Sequence, residues 1–239
     1  MKAIILAAGR GSRMKQLTAE RPKCLVNIRG KPLIEWQLEA IRAAGIREIA
    51  IVTGYRNELL SPYKLVEFHN ARWSETNMVT SLACAEEWLK HQTCVISYSD
   101  IFYEASAVIS LINCSASLAV TYDPNWLNLW KSRFGNPLLD AETFLISSTN
   151  EILEIGNKPR NVEEVQGQYM GLLRMTPKSW KHIASIRAKF SKNIRDKMHM
   201  TGILQKVIEH AKLPVLGVPY HSEWGEIDSK SDLEKFDMS

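Results

Sequence analysis

A glycine-rich loop with cationic side chains follows the first apolar run of the sequence. The chain opens MKAIILAAGRGSRMKQLTAERPKCL, in which Gly9 and Gly11 frame Arg10 and the loop ends at Arg13. Glycine permits positive φ and close backbone approach, so successive N–H groups can turn toward an anion. Arg10, Arg13 and the downstream Lys23 add positive charge, and the arginines add paired donors that match phosphate. These residues predict a triphosphate cradle, although a short GxG segment alone is equally typical of a solvated turn.

Two well-known phosphate motifs are excluded by the residues around this loop. A Walker A loop ends in Gly-Lys followed by Ser or Thr, and no such ending closes this one. A dinucleotide fingerprint has a third glycine, which is missing here. The loop therefore needs another explanation.

Two aspartates follow apolar segments of the chain. Asp100 ends the apolar run TCVISYSD, and Asp228 lies in the late segment WGEID. A carboxylate at the end of a buried strand is costly without a partner, and carboxylate oxygens are the ligands that Mg²⁺ prefers. Each could instead cap a following turn or helix. Glu226 is nearby, and alternation places it on the same side as Asp228.

Alternating strand-like and helix-like segments must position these residues. Apolar runs such as KAIILAA, EIAIVTG, TCVISYSD and SLAVTY alternate with helical patterns such as PLIEWQLEAIRAAG and AVISLINC. This order predicts an α/β fold with a doubly wound, mostly parallel sheet, in which ligands bind beyond the carboxyl ends of the strands. TFLISSTNEILEIG predicts a hairpin in a small antiparallel lobe. We expect residues 1–239 to form a single domain.

The window LAAGRGSRMKQLTAERPKCLVNIRGKPLIEW resembles the signature of the nucleotidyltransferases that activate sugar phosphates and related phosphates. The resemblance implies a Rossmann-like fold of the nucleotide-diphospho-sugar transferase type. It also implies that the loop binds the nucleotide triphosphate and that the lysine of the Pro-Lys pair contacts phosphate at the reacting centre. The residues that it assigns to nucleotide binding are Leu6, Ala8, Gly9, Arg10, Gly11 and Ser12. Those that it assigns to catalysis are Arg13 and Lys23.

Two further segments resemble the phosphocholine and 2-aminoethylphosphonate cytidylyltransferases within this family. Gln16 stands where sugar-1-phosphate members usually have proline, and SETNMVTSL resembles an Asn-x-x-x-Ser-Leu motif. That motif implies that Asn77 and Ser81 line the base and ribose site. Asn77 or Thr76 could equally cap the helix that begins there.

The same resemblance extends to the metal and the acceptor. It implies that Asp100 and Asp228 hold Mg²⁺, and that Lys158, in EIGNKP, contacts the acceptor phosphate. Glu226 lacks the support of this resemblance and therefore ranks below Asp228 as a ligand. Trp126 and Trp130 are four residues apart and would adjoin on a helix, where they could hold a quaternary ammonium by cation–π contacts. Tyr169 falls on a strand that would line the acceptor side. An aromatic pair at this spacing is also typical of a packed core.

These features predict a Mg²⁺-dependent cytidylyltransferase that joins CMP from CTP to a small phosphorylated or phosphonylated amine and releases pyrophosphate. Phosphocholine is the first expectation for the acceptor, and 2-aminoethylphosphonate is the second. One alternative is a sugar-1-phosphate nucleotidyltransferase that uses UTP or dTTP. Another is CTP-dependent transfer to a different acceptor, such as a phosphoamide in capsule or surface-glycan modification. A nucleotide-sensing regulatory domain of the same fold is the alternative without catalysis.

Composition narrows the setting. The chain has 239 residues, of which 45% are hydrophobic and 23% charged, and its formal net charge is +4. Its four cysteines lack metal-ligand spacing, which favours a reducing cytoplasmic location. No basic stripe indicates nucleic-acid binding, and no apolar run is long enough for membrane insertion. We expect a monomer or a homodimer.

Overall fold

The computed structural model describes residues 1–237 and consists of a central sheet with helices on both faces. The strands are β1 (Lys2–Ala7), β2 (Asn27–Ile28), β3 (Lys31–Pro32), β4 (Ile49–Thr53), β5 (Val66–His69), β6 (Cys94–Tyr98), β7 (Ile101–Tyr103), β8 (Leu118–Asp123), β9 (Phe144–Ile146), β10 (Ile152–Ile155), β11 (Gln168–Met175), β12 (Leu216–Pro219) and β13 (Trp224–Glu226). The helices are α1 (Leu33–Ala43), α2 (Met78–Ala83), α3 (Glu86–His91), α4 (Ala105–Asn113), α5 (Trp126–Phe134), α6 (Pro177–Arg187), α7 (Lys192–Lys197), α8 (Met200–Glu209) and α9 (Lys230–Asp237).

The central sheet has the strand order β12-β8-β11-β6-β1-β4-β5. Neighbouring strands are parallel except at β11, which is antiparallel to both β6 and β8. The expectation of a doubly wound, mostly parallel sheet is therefore confirmed. Because β1 lies between β4 and β6, the loop that follows β1 opens at the middle of the sheet edge.

The apolar runs form strands that are buried on both faces, as a parallel sheet requires. In β1, Ile4 and Leu6 pack into one core cluster, and Ile5 and Ala7 pack into the other. The first cluster lies under α2, α3, α6 and α8, and the second lies under α1, α4 and α5. Burial on both sides fixes the register of β1, and with it the position of the following loop.

The structure differs from the expected layout in three places. The predicted hairpin forms as β9 and β10, but β11 and β12 join the central sheet instead of a separate lobe. The sequence of TSLACAEEWLKH predicts one helix, but the segment is divided into α2 and α3, because Ala85 leaves helical geometry with φ −92° and ψ 21°. This break lets Leu82 and Leu89 both reach the core. The short terminal region also adds β13, which pairs with β7.

The site described below lies where the loops after β1 and β6 meet the segment after β13. Within residues 1–237, every helix is too short or too polar to cross a bilayer.

Candidate active site

The glycine-rich loop is shaped by one residue in the left-handed region. Gly11 has φ 72°, a conformation that side chains other than glycine rarely adopt. A Cβ atom at this position would lie only 2.9 Å from the Cβ of Lys23. Gly11 therefore allows the loop to pass directly over the Lys23 stem.

Lys23 is a buried cation held between two aspartates. Its ammonium lies 2.8 Å from Asp100 Oδ2 and also contacts Asp228 Oδ1. Burial alone would lower the Lys23 pKa, but the carboxylates of Asp100, Asp228 and Glu226 outweigh it and raise the pKa. Lys23 is therefore charged in the folded protein.

Three carboxylates surround this ammonium. Asp100, Glu226 and Asp228 can each turn one oxygen to within 4.8 Å of the others. Burial, together with the charges of Asp228 and Asp100, raises the pKa of Glu226 to about 8. Such crowding of buried negative charge is stable only beside cations.

The cluster fits a divalent cation by its chemistry. Its donors are hard carboxylate oxygens, which Mg²⁺ prefers, and Asp100 Oδ1 is buried without a hydrogen-bond partner. That orphaned oxygen can serve as a ligand. Glu226 is thus a third candidate ligand, although the sequence ranked it below Asp228.

Arg133 contacts two carboxylates at the edge of the cluster, a role that the sequence did not predict. Its guanidinium is fully buried and lies 2.8 Å from Asp232 and 3.1 Å from Glu226. It also lies over the rings of Trp130 and Phe134, 4.9 and 4.8 Å from their centroids. Burial opposes the charge, but hydrogen bonds to Asp232 and Glu226 raise the Arg133 pKa. α5 thereby anchors the segment that carries Glu226.

The cap of α9 is formed by residues other than Asp228. Ser229 Oγ accepts a hydrogen bond from the Asp232 N–H, and Asp232 Oδ2 accepts one from the Ser229 N–H. This reciprocal pair is a capping box. The Asp228 carboxylate instead contacts Lys23 and lies 3.0 Å from the Arg13 guanidinium. The helix-cap alternative for Asp228 is therefore wrong.

A cavity of about 210 Å³ opens between the loop after β1 and the start of α2. Its lining includes nine of the residues predicted for the site, namely Leu6, Ala8, Gly9, Gly11, Arg13, Lys23, Asn77, Ser81 and Asp100. Two predicted nucleotide-binding residues lie outside the lining. Arg10 turns its guanidinium over the Tyr55 ring, 5.6 Å from the centroid, and Ser12 is exposed.

The start of α2 combines the two alternatives weighed for Asn77. Its side-chain oxygen accepts a hydrogen bond from the Met78 N–H and so caps α2. Asn77 also lines the cavity, as does Ser81, whose hydroxyl accepts a hydrogen bond from Asn70. Capping and ligand contact are therefore compatible at this position.

A second cavity, of about 180 Å³, adjoins the first. Arg13, Met78 and Tyr98 line both cavities, so the two form one cleft. The lining of the second cavity also contains the predicted Trp130, Tyr169 and Asp228, together with Glu226, which the sequence ranked below Asp228. It further contains four residues without a predicted role, namely Asp140, Glu142, Gln168 and His199. The cluster of carboxylates thus lies at the junction of the two cavities.

Two predicted acceptor residues are placed elsewhere. Trp126 is 3% exposed, and its indole N–H donates to the Val165 carbonyl at 2.9 Å, so its ring belongs to the core. The prediction that both tryptophans hold the acceptor is therefore wrong. α5 brings the two rings together, but it also buries Trp126 in the core. Lys158 contacts the carbonyl oxygens of Leu138 and Leu139 and lines neither cavity.

Comparison with known proteins agrees with this geometry. A sequence profile of the MobA-like NTP transferase domain matches residues 3–158. The chain belongs to this family. The resemblance inferred from the glycine-rich window is confirmed, and the protein is a nucleotidyltransferase enzyme.

Individual relatives of this NTP transferase extend the match over the whole chain. It is 38% identical to the CTP:phosphoglutamine cytidylyltransferase of Campylobacter jejuni over 98% of each protein. Its fold resembles the inositol-1-phosphate CTP transferase from T. maritima, with a TM-score of 0.79 and 20% identity, covering 97% of this chain and 90% of that one. It also resembles the CTP:phosphocholine cytidylyltransferase of Streptococcus pneumoniae, with a TM-score of 0.75 and 22% identity over 99% and 97% of the two chains.

Proposed function

We propose that this enzyme transfers CMP from CTP to a small phosphorylated acceptor and releases pyrophosphate. The observation that carries the proposal is the cluster of Lys23, Asp100 and Asp228 at the junction of two cavities. One cavity would hold the nucleotide and the other the acceptor, so that the two phosphates meet at the cluster. The similar proteins from Campylobacter jejuni, T. maritima and Streptococcus pneumoniae each act on CTP according to their names.

The reaction would be an in-line displacement at the α-phosphorus. An oxygen of the acceptor phosphate forms a bond to the α-phosphorus, while the bond to the bridging oxygen of the β-phosphate breaks and its electron pair leaves with pyrophosphate. Charge accumulates on the nonbridging oxygens, so positioned cations supply the catalysis. We assign this role to Lys23 and Arg13, which lie beside the junction.

Mg²⁺ is the proposed cofactor. Asp100, Glu226 and Asp228 would hold the ion, and the bound ion would neutralise phosphate charge. Lys23 then has two uses. Its charge offsets the carboxylates when no ion is present. When an ion is bound, its ammonium can turn toward a phosphate instead.

For the acceptor we propose phosphoglutamine or a similar phosphoamide, ahead of phosphocholine and 2-aminoethylphosphonate. The Campylobacter jejuni relative, which acts on phosphoglutamine by its name, matches over nearly the full length. The second cavity also has a polar lining with Glu142 and Gln168, and Trp126 lies outside it. Such a lining suits an amino-acid derivative better than a purely aromatic cage would.

A pyrophosphate-release assay with the four NTPs tests this function. Each NTP is paired in turn with phosphoglutamine, phosphocholine, 2-aminoethylphosphonate and a set of sugar 1-phosphates, with Mg²⁺ present. We expect the highest kcat/KM for CTP with phosphoglutamine. Turnover of UTP or dTTP with a sugar phosphate would overturn the proposal, and no turnover with any pair would favour a regulatory domain.

A further inference from the structure

We propose that Glu142 and Gln168 select the acceptor by binding its ammonium group, and that Trp130 donates a hydrogen bond to its carboxylate. The acceptor class that this inference names is an amino acid bearing a phosphoryl group at its far end. The inference rests on the proposed function.

The lining of the second cavity carries charges of both signs. Arg13 lines the end next to Lys23, where the cavities join. Asp140 and Glu142 add negative charge to the same lining. Arg13 lines both cavities, whereas Asp140 and Glu142 line only the second, so we infer one orientation for an acceptor that carries a phosphate and a cation. Its phosphate would meet the cationic loop, and its cation would meet the carboxylates.

Glu142 is a carboxylate without a matching cation. It lies between α5 and β9, and burial raises its pKa. Thr201 donates a hydrogen bond to it at 3.3 Å, and within residues 1–237 no lysine or arginine forms an ion pair with it. His199 is the nearby group whose positive form would favour the charged carboxylate. An ammonium group from the acceptor would supply the missing charge.

Gln168 and Trp130 line the same cavity, and each has a buried hydrogen-bonding atom without a partner. Gln168 is 9% exposed, and its Oε1 atom is buried without a donor. Trp130 is 1% exposed, and its indole N–H is buried without an acceptor. Buried polar atoms of this kind are costly unless a ligand or water satisfies them.

These atoms separate an amino acid from choline. A primary ammonium carries N–H groups that can bond both Glu142 and Gln168, whereas a quaternary ammonium has none and would leave Gln168 Oε1 unsatisfied. The Trp130 N–H requires an acceptor atom, which a carboxylate provides and choline lacks. The lining therefore favours an amino-acid head group.

The test compares Glu142→Gln with the parent enzyme on two acceptors. The first is phosphoglutamine, and the second is the analogue in which hydrogen replaces the α-amino group. We expect the KM for phosphoglutamine to rise ~10-fold or more, because a charge-assisted hydrogen bond is lost. The KM for the desamino analogue, the KM for CTP and kcat at saturation should change less than ~2-fold. Glu163→Gln, which removes an exposed carboxylate outside both cavities, is the matched control and should change none of them.

A second variant keeps the inference testable if Glu142→Gln folds poorly. Gln168→Met removes the unpaired oxygen at similar volume and should produce the same selective rise in KM. Equal losses on both acceptors, or no loss on either, would overturn the inference. If the parent turns over CTP and phosphoglutamine while both variants match it, only this inference fails. If the parent turns over no CTP with any acceptor, the proposed function fails as well.

Discussion

At the scale of single residues, the site is defined by an ammonium that lies where a metal ion could also bind. Lys23 contacts Asp100 and Asp228, and its charge offsets theirs. A lysine in this position holds the carboxylates together before the substrates arrive. Its ammonium must also move away from one of these carboxylates when a phosphate or an ion enters the cluster.

Replacing Lys23 tests this double role. Lys23→Met keeps most of the stem that packs under Gly11 but removes the charge. We expect kcat to fall ~10²-fold or more, a typical loss for a group that stabilises transition-state charge. We also expect Mg²⁺ to raise the melting temperature of the variant more than that of the parent, because the ion replaces the missing cation. Pyrophosphate release and thermal melting with and without Mg²⁺ provide the measurements, and near-parental turnover would remove Lys23 from the mechanism.

Asp228 and Asp232 are four residues apart and should respond differently to the same change. Asp228→Asn should reduce Mg²⁺-dependent turnover while the melting temperature stays close to that of the parent, because Ser229 and Asp232 cap α9. Asp232→Asn, the matched control, should lower the melting temperature, because Asp232 pairs with the buried Arg133. The pair is compared by thermal melting and pyrophosphate release. Unfolding of Asp228→Asn alone would show that its role is structural.

The site residues that could be predicted from the sequence lie within or beside a segment that resembles a family motif. Arg13 and Lys23 belong to the glycine-rich window, and the structure places them beside Asp100 and Asp228. Glu142 carried no signal, because its position in the cleft depends on how β9 and α8 pack. The catalytic and binding roles of Arg13, Lys23, Asp100 and Asp228 stay predictions.

At the scale of elements, α5 connects the two parts of the cleft. Trp130 lines the second cavity, and Arg133, three residues later, holds Glu226 and Asp232. The two tryptophans were expected to adjoin if their segment were helical, and the segment forms α5. Spacing alone could not show that Trp126 packs into the core, since that depends on the neighbouring Val165 loop.

Removing the charge of Arg133 should destabilise the fold. Arg133→Met leaves Glu226 and Asp232 without their buried cation, a change that typically costs roughly 3 kcal/mol or more. Urea unfolding followed by circular dichroism measures the free energy of unfolding. Arg160→Met, at an exposed position, should change it by less than about 0.5 kcal/mol. Equal stability of the two variants would show that the Arg133 ion pairs contribute little.

A helix or strand could be predicted where its own residues carry a clear hydrophobic pattern. The runs that became β1, β4, β6 and β8 are apolar on both faces, which identifies buried strands without further information. The entry of β11 between β6 and β8 was not foreseen, because strand pairing between distant segments has no local signature. The division between α2 and α3 was missed for a similar reason, since tertiary packing selects the turn at Ala85.

At the scale of the whole molecule, one wall of the nucleotide cavity is held by contacts between distant parts of the chain. The Asp196 carboxylate of α7 lies 2.5 Å from Arg72, which precedes α2, and 2.8 Å from Lys192. The Asp196 carbonyl accepts a hydrogen bond from the Asn77 N–H at 2.7 Å. Since Trp73 and Asn77 line the cavity, α7 helps to set its shape.

This connection should depend on pH in a defined direction. Hydrogen bonds from Arg72 and Lys192 lower the pKa of Asp196 below its ordinary value. Its stabilising contribution is therefore fully present above the unfolded-state pKa of about 3.9, and it is lost as the pH falls from there toward the lower folded-state pKa. Asp196→Asn should have a lower urea midpoint than the parent at pH 7, and this difference should narrow below about pH 4. Glu87→Gln, at an exposed position of α3, should match the parent throughout. A difference for Asp196→Asn that persists unchanged at pH 3 would mean that the side-chain charge is not what joins α7 to the cavity wall.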